Sequence, residues 1–169
     1  MNILHVDTNH PLLVEQLDAL GHHNDIDVLS SKSEITAKIP HYDGLVIRSR
    51  FFIDKAFLEQ AINLKFIARV GAGLENIDLA YARQKGIHLI TAPEGNRNAV
   101  GEHALALILA LFNKLNQANQ NIRKGFWPRE ANRGVELDGK TIGIIGYGHM
   151  GKAFAKKLKG FDVEVLCQD

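Results

Sequence analysis

With 169 residues, 46% of them hydrophobic and 23% charged, the chain has room for one good core or two small ones, and its composition is that of an ordinary globular protein. Twenty basic and 19 acidic side chains leave a net charge of +1, which provides no field to gather phosphate backbones and argues against a nucleic-acid partner. A single cysteine, Cys167, excludes an internal disulfide framework. The longest apolar run, Ala104 to Phe112, is far too short for a membrane span, and no cleavable leader follows Met1, so a soluble, cytoplasmic protein without a membrane partner is expected.

Ile3 to Val6 reads as a strand, and Pro11 suits the first turn of a helix that runs to Leu20 and stops at Gly21. A second strand is expected at Ile26 to Leu29, with a helix after Ser33. The third, Leu45 to Ile47, precedes a helix capped by Asp54 and carrying Phe57, Leu58 and Ala61. Phe66 to Val70 is the fourth. A helix capped by Asp78 and ended by Gly86 leads to the fifth, Ile87 to Ile90, closed by Pro93. These runs are apolar without clean alternation, as parallel strands covered on both faces should be. They predict a doubly wound α/β domain over residues 1–98.

One long helix is then predicted over residues 99–124, with no Pro and a single Gly near its start. Its first half is apolar all round, which implies burial on every side. Its second half narrows to a stripe of Leu111, Leu115, Ala118 and Ile122. The plain reading is a helix packed between two domains, which is compatible with a subunit interface. Beyond a Gly125 to Pro128 loop, where Trp127 reads as a packing residue, a strand beginning at Lys140 opens a second domain, over residues 99–169.

Within it, a βαβ pattern over residues 140–169 surrounds Gly146-Tyr147-Gly148-His149-Met150-Gly151. A glycine-rich turn alone is weak. This one follows a strand, opens a helix, precedes a second strand and meets Asp169 23 positions after Gly146. Gly146 permits the tight turn, Gly148 lets backbone approach a pyrophosphate, and Gly151 allows close helix–strand packing. Free N–H groups around His149 and Met150 would face the ligand at the positive end of the helix. Asp169 can accept both ribose hydroxyls and would repel a 2′-phosphate, which makes NAD the expected cofactor over NADP.

The chain as a whole resembles the D-isomer-specific 2-hydroxyacid dehydrogenases, nearest the D-3-phosphoglycerate dehydrogenase branch. The resemblance rests on Ile47-Arg48-Ser49-Arg50, Arg69-Val70-Gly71-Ala72-Gly73-Leu74-Glu75-Asn76-Ile77-Asp78, Ala92-Pro93 with Asn96, Ala99 to Ala104, Gly125-Phe126-Trp127, and Leu137 to Lys140 before the glycine turn. It implies a flavodoxin-like first domain with a parallel sheet, then the first βαβ unit of a Rossmann domain. The implied activity is hydride transfer between NAD(H) and a small 2-hydroxy or 2-keto acid, with 3-phosphoglycerate a candidate. It assigns Ala72 and Gly73 as carboxylate-binding amides, with Arg48 and Ser49 also touching the acidic substrate. A guanidinium pair, Arg48 with Arg50, suits such a ligand. Asn96 and Val100 fall toward the nicotinamide side, Asn96 with the substrate and Val100 with the cofactor. Glu75 stands where Asp is commoner, and His149 replaces the commoner Arg, weakening charge assistance at the phosphate turn.

In this family the catalytic Arg, Glu and His come after the second strand of the cofactor domain, so none is expected among these residues. The chain reads as the front half of a longer enzyme, inactive alone and dimeric when complete. Glu102 and His103 are adjacent on a helix and point roughly 100° apart, so they cannot form an oriented dyad. His22, His23 and His41 lie in predicted loops without converging ligands, so no metal is expected, and Cys167 reads as an inert buried thiol. A non-catalytic dinucleotide-binding sensor or corepressor is the alternative from another class. Erythronate-4-phosphate and glyoxylate chemistry are alternatives on the same scaffold.

Overall fold

The computed structural model describes all residues 1–169, which divide into two compact units, Met1–Pro93 and Glu94–Asp169. The first is a five-stranded, all-parallel sheet built from β1 (Asn2–His5), β2 (His23–Ile26), β3 (Gly44–Ile47), β4 (Phe66–Arg69) and β5 (His88–Thr91) in the order β2-β1-β3-β4-β5. That is the flavodoxin-type order, whose switch point lies between β1 and β3. Helices α1 (Pro11–Ala19), α2 (Lys32–Lys38), α3 (Lys55–Gln60) and α4 (Leu79–Gln84) connect the strands.

Local chemistry fixes the helix starts. Pro11 occupies the first turn of α1 behind a His10 cap. Ser31 and Glu34 form a reciprocal capping box on α2. Asp54 accepts the Phe57 N–H at 2.9 Å and Asp78 the Tyr81 N–H at 3.0 Å, as their positions in the sequence predict. Between the layers, Leu4, Val6, Leu45, Ile47, Phe57 and Ile67 are buried in one continuous core.

The second strand departs from expectation. It is His23–Ile26, not Ile26 to Leu29, because its register with β1 pairs Asn2 with His23 and His5 with Ile26. As an edge strand it tolerates polar residues, and Leu29 is left 92% exposed. His23 therefore lies in a strand rather than a loop, 3.4 Å from Asp25.

In the second unit the predicted helix over residues 99–124 is two helices, α5 (Pro93–Phe112) and α6 (Leu115–Arg123). Pro93 opens α5 instead of merely closing a strand, its fixed φ suiting a first helical turn. The break comes at Lys114, in the left-handed region at φ 49°, where Val135 N–H takes the Phe112 carbonyl at 3.0 Å. Neither Gly nor Pro marks it in the sequence. Within this chain α5 is not buried all round. Gly101 is its one buried residue, while Leu107 and Leu111 are exposed. Trp127 is exposed too, so it packs no core here.

A two-stranded parallel sheet, β6 (Thr141–Ile145) and β7 (Glu164–Gln168), with α7 (His149–Leu158) between them, completes the unit. Cys167 on β7 is exposed, contrary to the buried thiol expected, because no third strand in this chain covers that side of the pair. No helix is long and apolar enough to cross a membrane.

Candidate functional site

In the first unit, three loops leave the sheet at one level. Ile47, Arg69 and Thr91 are register partners across β3, β4 and β5, so Arg48, Val70 and Ala92 all begin at the carboxyl edge, where α/β sheets bind ligands. The switch point is held by Asp7. Its Oδ2 accepts the N–H groups of Arg48, Ser49 and Arg50 at 2.6, 3.2 and 3.4 Å. That anchor fixes the backbone of the Arg48–Ser49 loop and leaves both side chains exposed.

Arg50 does something else. Its guanidinium donates to the carbonyls of Val6 (2.9 Å), Asp27 (2.6 Å) and Ser30. It ties β1 and the chain after β2 to β3, so the expected guanidinium pair for an acid reduces to Arg48. Spacing could not separate the two, because only the fold brings three carbonyls around one of them.

The Gly71-Ala72-Gly73 turn follows β4. Gly71 N–H donates to Arg69 O at 2.9 Å, while the Ala72 and Gly73 N–H groups find no acceptor within the protein. Two adjacent unpaired amides in a tight turn form a cradle for an anion. A Cβ at Gly71 would lie 2.1 Å from the Arg69 guanidinium, and one at Gly73 2.0 Å from a Glu75 carboxylate oxygen. Arg69 is the residue that sequence reasoning left out. Its Nε donates to Arg48 O at 3.0 Å and it pairs with Glu75 at 3.1 Å, so it clasps the β3 and β4 loops together. The available signal was an arginine at a strand end immediately before a glycine turn.

In the second unit, Gly146 turns the chain at φ +88°, and α7 starts at His149 with no side-chain cap. The first helical N–H groups, around His149 and Met150, therefore remain available to a ligand. A Cβ at Gly151 would stand 2.2 Å from the Gly146 carbonyl oxygen, while nothing lies within 4 Å of one at Gly148. Close packing below and open space above are what a diphosphate-binding turn requires. Asp169 follows β7, and its carboxylate accepts the Tyr147 N–H at 2.9 Å.

A cavity of about 660 Å³ opens beside Gly148 and His149. Arg97, Lys152 and Lys156 line it with Glu94, and Glu94 lies 3.9 Å from His149 Nδ1. His149, Lys152 and Lys156 recur at helical spacing on one face of α7, a signal present in the sequence and not used. Asn96 and Val100 are one turn apart on α5. Asn96 is therefore helical and belongs to the second unit, whereas Arg48, Ser49, Ala72 and Gly73 belong to the first. Glu102 pairs with Lys157 at 3.1 Å, a structural tie between α5 and α7. No group of three or more His, Cys, Asp or Glu side chains is arranged to hold a metal ion.

Residues 3–163 match the family described as D-isomer specific 2-hydroxyacid dehydrogenase, catalytic domain. The chain belongs to the D-isomer specific 2-hydroxyacid dehydrogenases. It is 38% identical over 162 residues to a D-3-phosphoglycerate dehydrogenase of Archaeoglobus fulgidus, a match covering 94% of this chain and 31% of that protein. It is 36% identical to a hydroxypyruvate reductase of Thermotoga maritima, covering 97% of this chain and 55% of the relative. Among solved structures, NAD+-bound 3-phosphoglycerate dehydrogenase of Entamoeba histolytica superposes with a TM-score of 0.79 at 28% identity, over all of this chain and 54% of that one. The chain thus spans about a third to a half of the length of these dehydrogenases.

Proposed function

We propose that these residues form the acid-binding and adenosine-diphosphate-binding portion of an NAD-dependent 2-hydroxyacid dehydrogenase, with 3-phosphoglycerate the leading candidate for the acid and phosphohydroxypyruvate for its keto partner. The observation that carries the reading is the uncapped mouth of α7 above the Gly146–Gly151 turn, with Asp169 at the end of the neighbouring strand.

Gly146, Tyr147, Gly148, His149, Met150 and Gly151 would hold the diphosphate through backbone N–H groups at the positive helix end. Arg97, Lys152 and Lys156 add positive charge beside it. Asp169 would give up the Tyr147 N–H to take the ribose hydroxyls, and its charge would repel a 2′-phosphate. When bound, the nicotinamide group supplies the hydride acceptor or donor. Val100 and Asn96 on α5 are assigned to its neighbourhood. On the first unit, the Ala72 and Gly73 N–H groups and the Arg48 and Ser49 side chains would hold the substrate carboxylate and its acidic substituent. Binding and orientation fall to these residues. Proton transfer is assigned to a His held by a Glu, and polarisation of the carbonyl to an Arg, as the family resemblance implies; none of the three has been identified among these residues. The exposed Leu107, Leu111, Leu115, Ile122 and Trp127 support a homodimer for the complete enzyme.

Calorimetry with NAD+, ADP-ribose and NADP+ tests the reading. NAD+ and ADP-ribose should bind comparably, and NADP+ at least about tenfold more weakly, a difference of roughly 1.4 kcal/mol. The 169-residue chain alone should not oxidise NADH with any 2-keto acid. Absence of binding by both NAD+ and ADP-ribose overturns the assignment.

A further inference from the structure

A second cavity, of about 440 Å³, lies in the first unit where α1 covers β1 and β2. It has the size of a small-molecule pocket, with Val14 and Ile26 among its apolar walls. His5 lines it and is 1% exposed. The His5 Nε2 lies 2.9 Å from Asn24 Oδ1. Asn24 gives its amide N–H to Asp18 at 2.7 Å, so its oxygen faces the ring and Nε2 carries the proton. That hydrogen-bond network assigns the tautomer and leaves Nδ1 an acceptor, buried and without a partner. Asn9, also in the lining, donates through Nδ2 to the Asp7 carbonyl at 3.0 Å, and its Oδ1 is likewise buried and unpartnered.

Buried acceptors without a donor are costly and rare, and each calls for an explanation. The acidic residues Asp7 and Glu15 are among the lining, and no Lys or Arg is. The pocket is therefore apolar in body, rich in acceptors and matched in charge to a cation.

We propose that this cavity binds a small primary amine with an apolar body, its ammonium group donating to His5 Nδ1 and Asn9 Oδ1 while its body packs on Val14 and Ile26. Asp7 Oδ2 also holds the Arg48 and Ser49 amides, so occupancy is felt in the loop assigned to the acidic substrate. The site uses only first-unit residues and stands or falls independently of dinucleotide binding.

Benzylamine titrated into the ¹⁵N-labelled 169-residue protein, with benzoate as comparator, tests it. Saturable shifts are expected at Asn9, Val14 and Ile26, carried to Arg48 and Ser49, with none from benzoate. Val14→Phe fills the cavity and Asn9→Ala removes one acceptor, and each should weaken benzylamine roughly tenfold or more. If one variant does not fold, the other gives the answer. No saturable shift, equal binding of benzoate, full affinity in a folded variant, or crystals grown with benzylamine that show only water at His5 Nδ1 would each overturn the proposal.

Discussion

The two units are built from the same strand–helix–strand unit, yet 17 of the 20 buried apolar residues lie in the first, and only Leu137, Ile144 and Leu158 in the second. Five parallel strands give three inner ones, and helices on the faces then bury β3 at all four positions. Two strands give none. Accordingly Ile145 is 93% exposed and Leu166 56% exposed despite their place in strands. Apolar pattern is thus shared by both units, and burial depends on neighbours that the pattern does not count. The units also differ in where binding groups sit. The first holds its loops with side-chain clasps, Asp7 and Arg69, whereas the second offers uncapped backbone at a helix mouth.

The sharpest way to break this contrast is truncation of equivalent apolar residues. Phe57→Ala, in the first core, should cost about 3–5 kcal/mol. Leu166→Ala, on the exposed pair, should stay within about 1 kcal/mol. Urea midpoints of the two variants decide it, and equal losses would erase the distinction. Next in size come the arginines two positions apart. Arg50→Ala strands three carbonyl acceptors and should cost about 2–4 kcal/mol, whereas Arg48→Ala should leave stability within about 0.5 kcal/mol and weaken only acid binding. Gly151→Ala comes third. Its Cβ would press on the Gly146 carbonyl, so NAD+ affinity should fall at least about tenfold, roughly 1.4 kcal/mol, with the first unit's melting unchanged.

The smallest effect is a pH dependence confined to one unit. Lys38 and Ser30 beside Asp27 hold its carboxyl well below the usual carboxylate range, and Lys32 with the Phe57 N–H lowers that of Asp54. Glu34 and Asp43 are lowered as well, Glu34 by its Ser31 partner and Asp43 by Lys65 and the Asn2 N–H. All four belong to the first unit. The unfolded chain takes up these protons near pH 4, before the folded one does. The stabilisation is therefore complete above about pH 4 and is lost as pH falls further, through the lowered folded values. Denaturation midpoints between about pH 6 and pH 3 should decline for the first unit, and Asp27→Asn should flatten the slope.

Much of this is legible in the sequence alone. Caps at Asp54 and Asp78, the Gly86 stop and the glycine turn before α7 are local chemistry, written in a few adjacent residues and satisfied within one turn. The positions of the loops proposed to bind ligands were legible too, because each follows an apolar run. What failed was whatever depends on distant partners. The edge strand β2 hides behind His23, Asn24 and Asp25, the Lys114 break arises from a carbonyl captured by Val135, and Arg50 differs from Arg48 only in what surrounds it.

The sequence by itself determined the capped starts of α1, α3 and α4 and the tight glycine turn before α7, since each rests on hydrogen bonds or steric limits spanning a few residues, and its motifs pointed to the family. Only the tertiary structure decided the strand register, the burial of each apolar face, the roles of Arg50 and Arg69, and the unpaired His5. Those rest on contacts between residues far apart in the chain, and no local pattern encodes which groups will meet there.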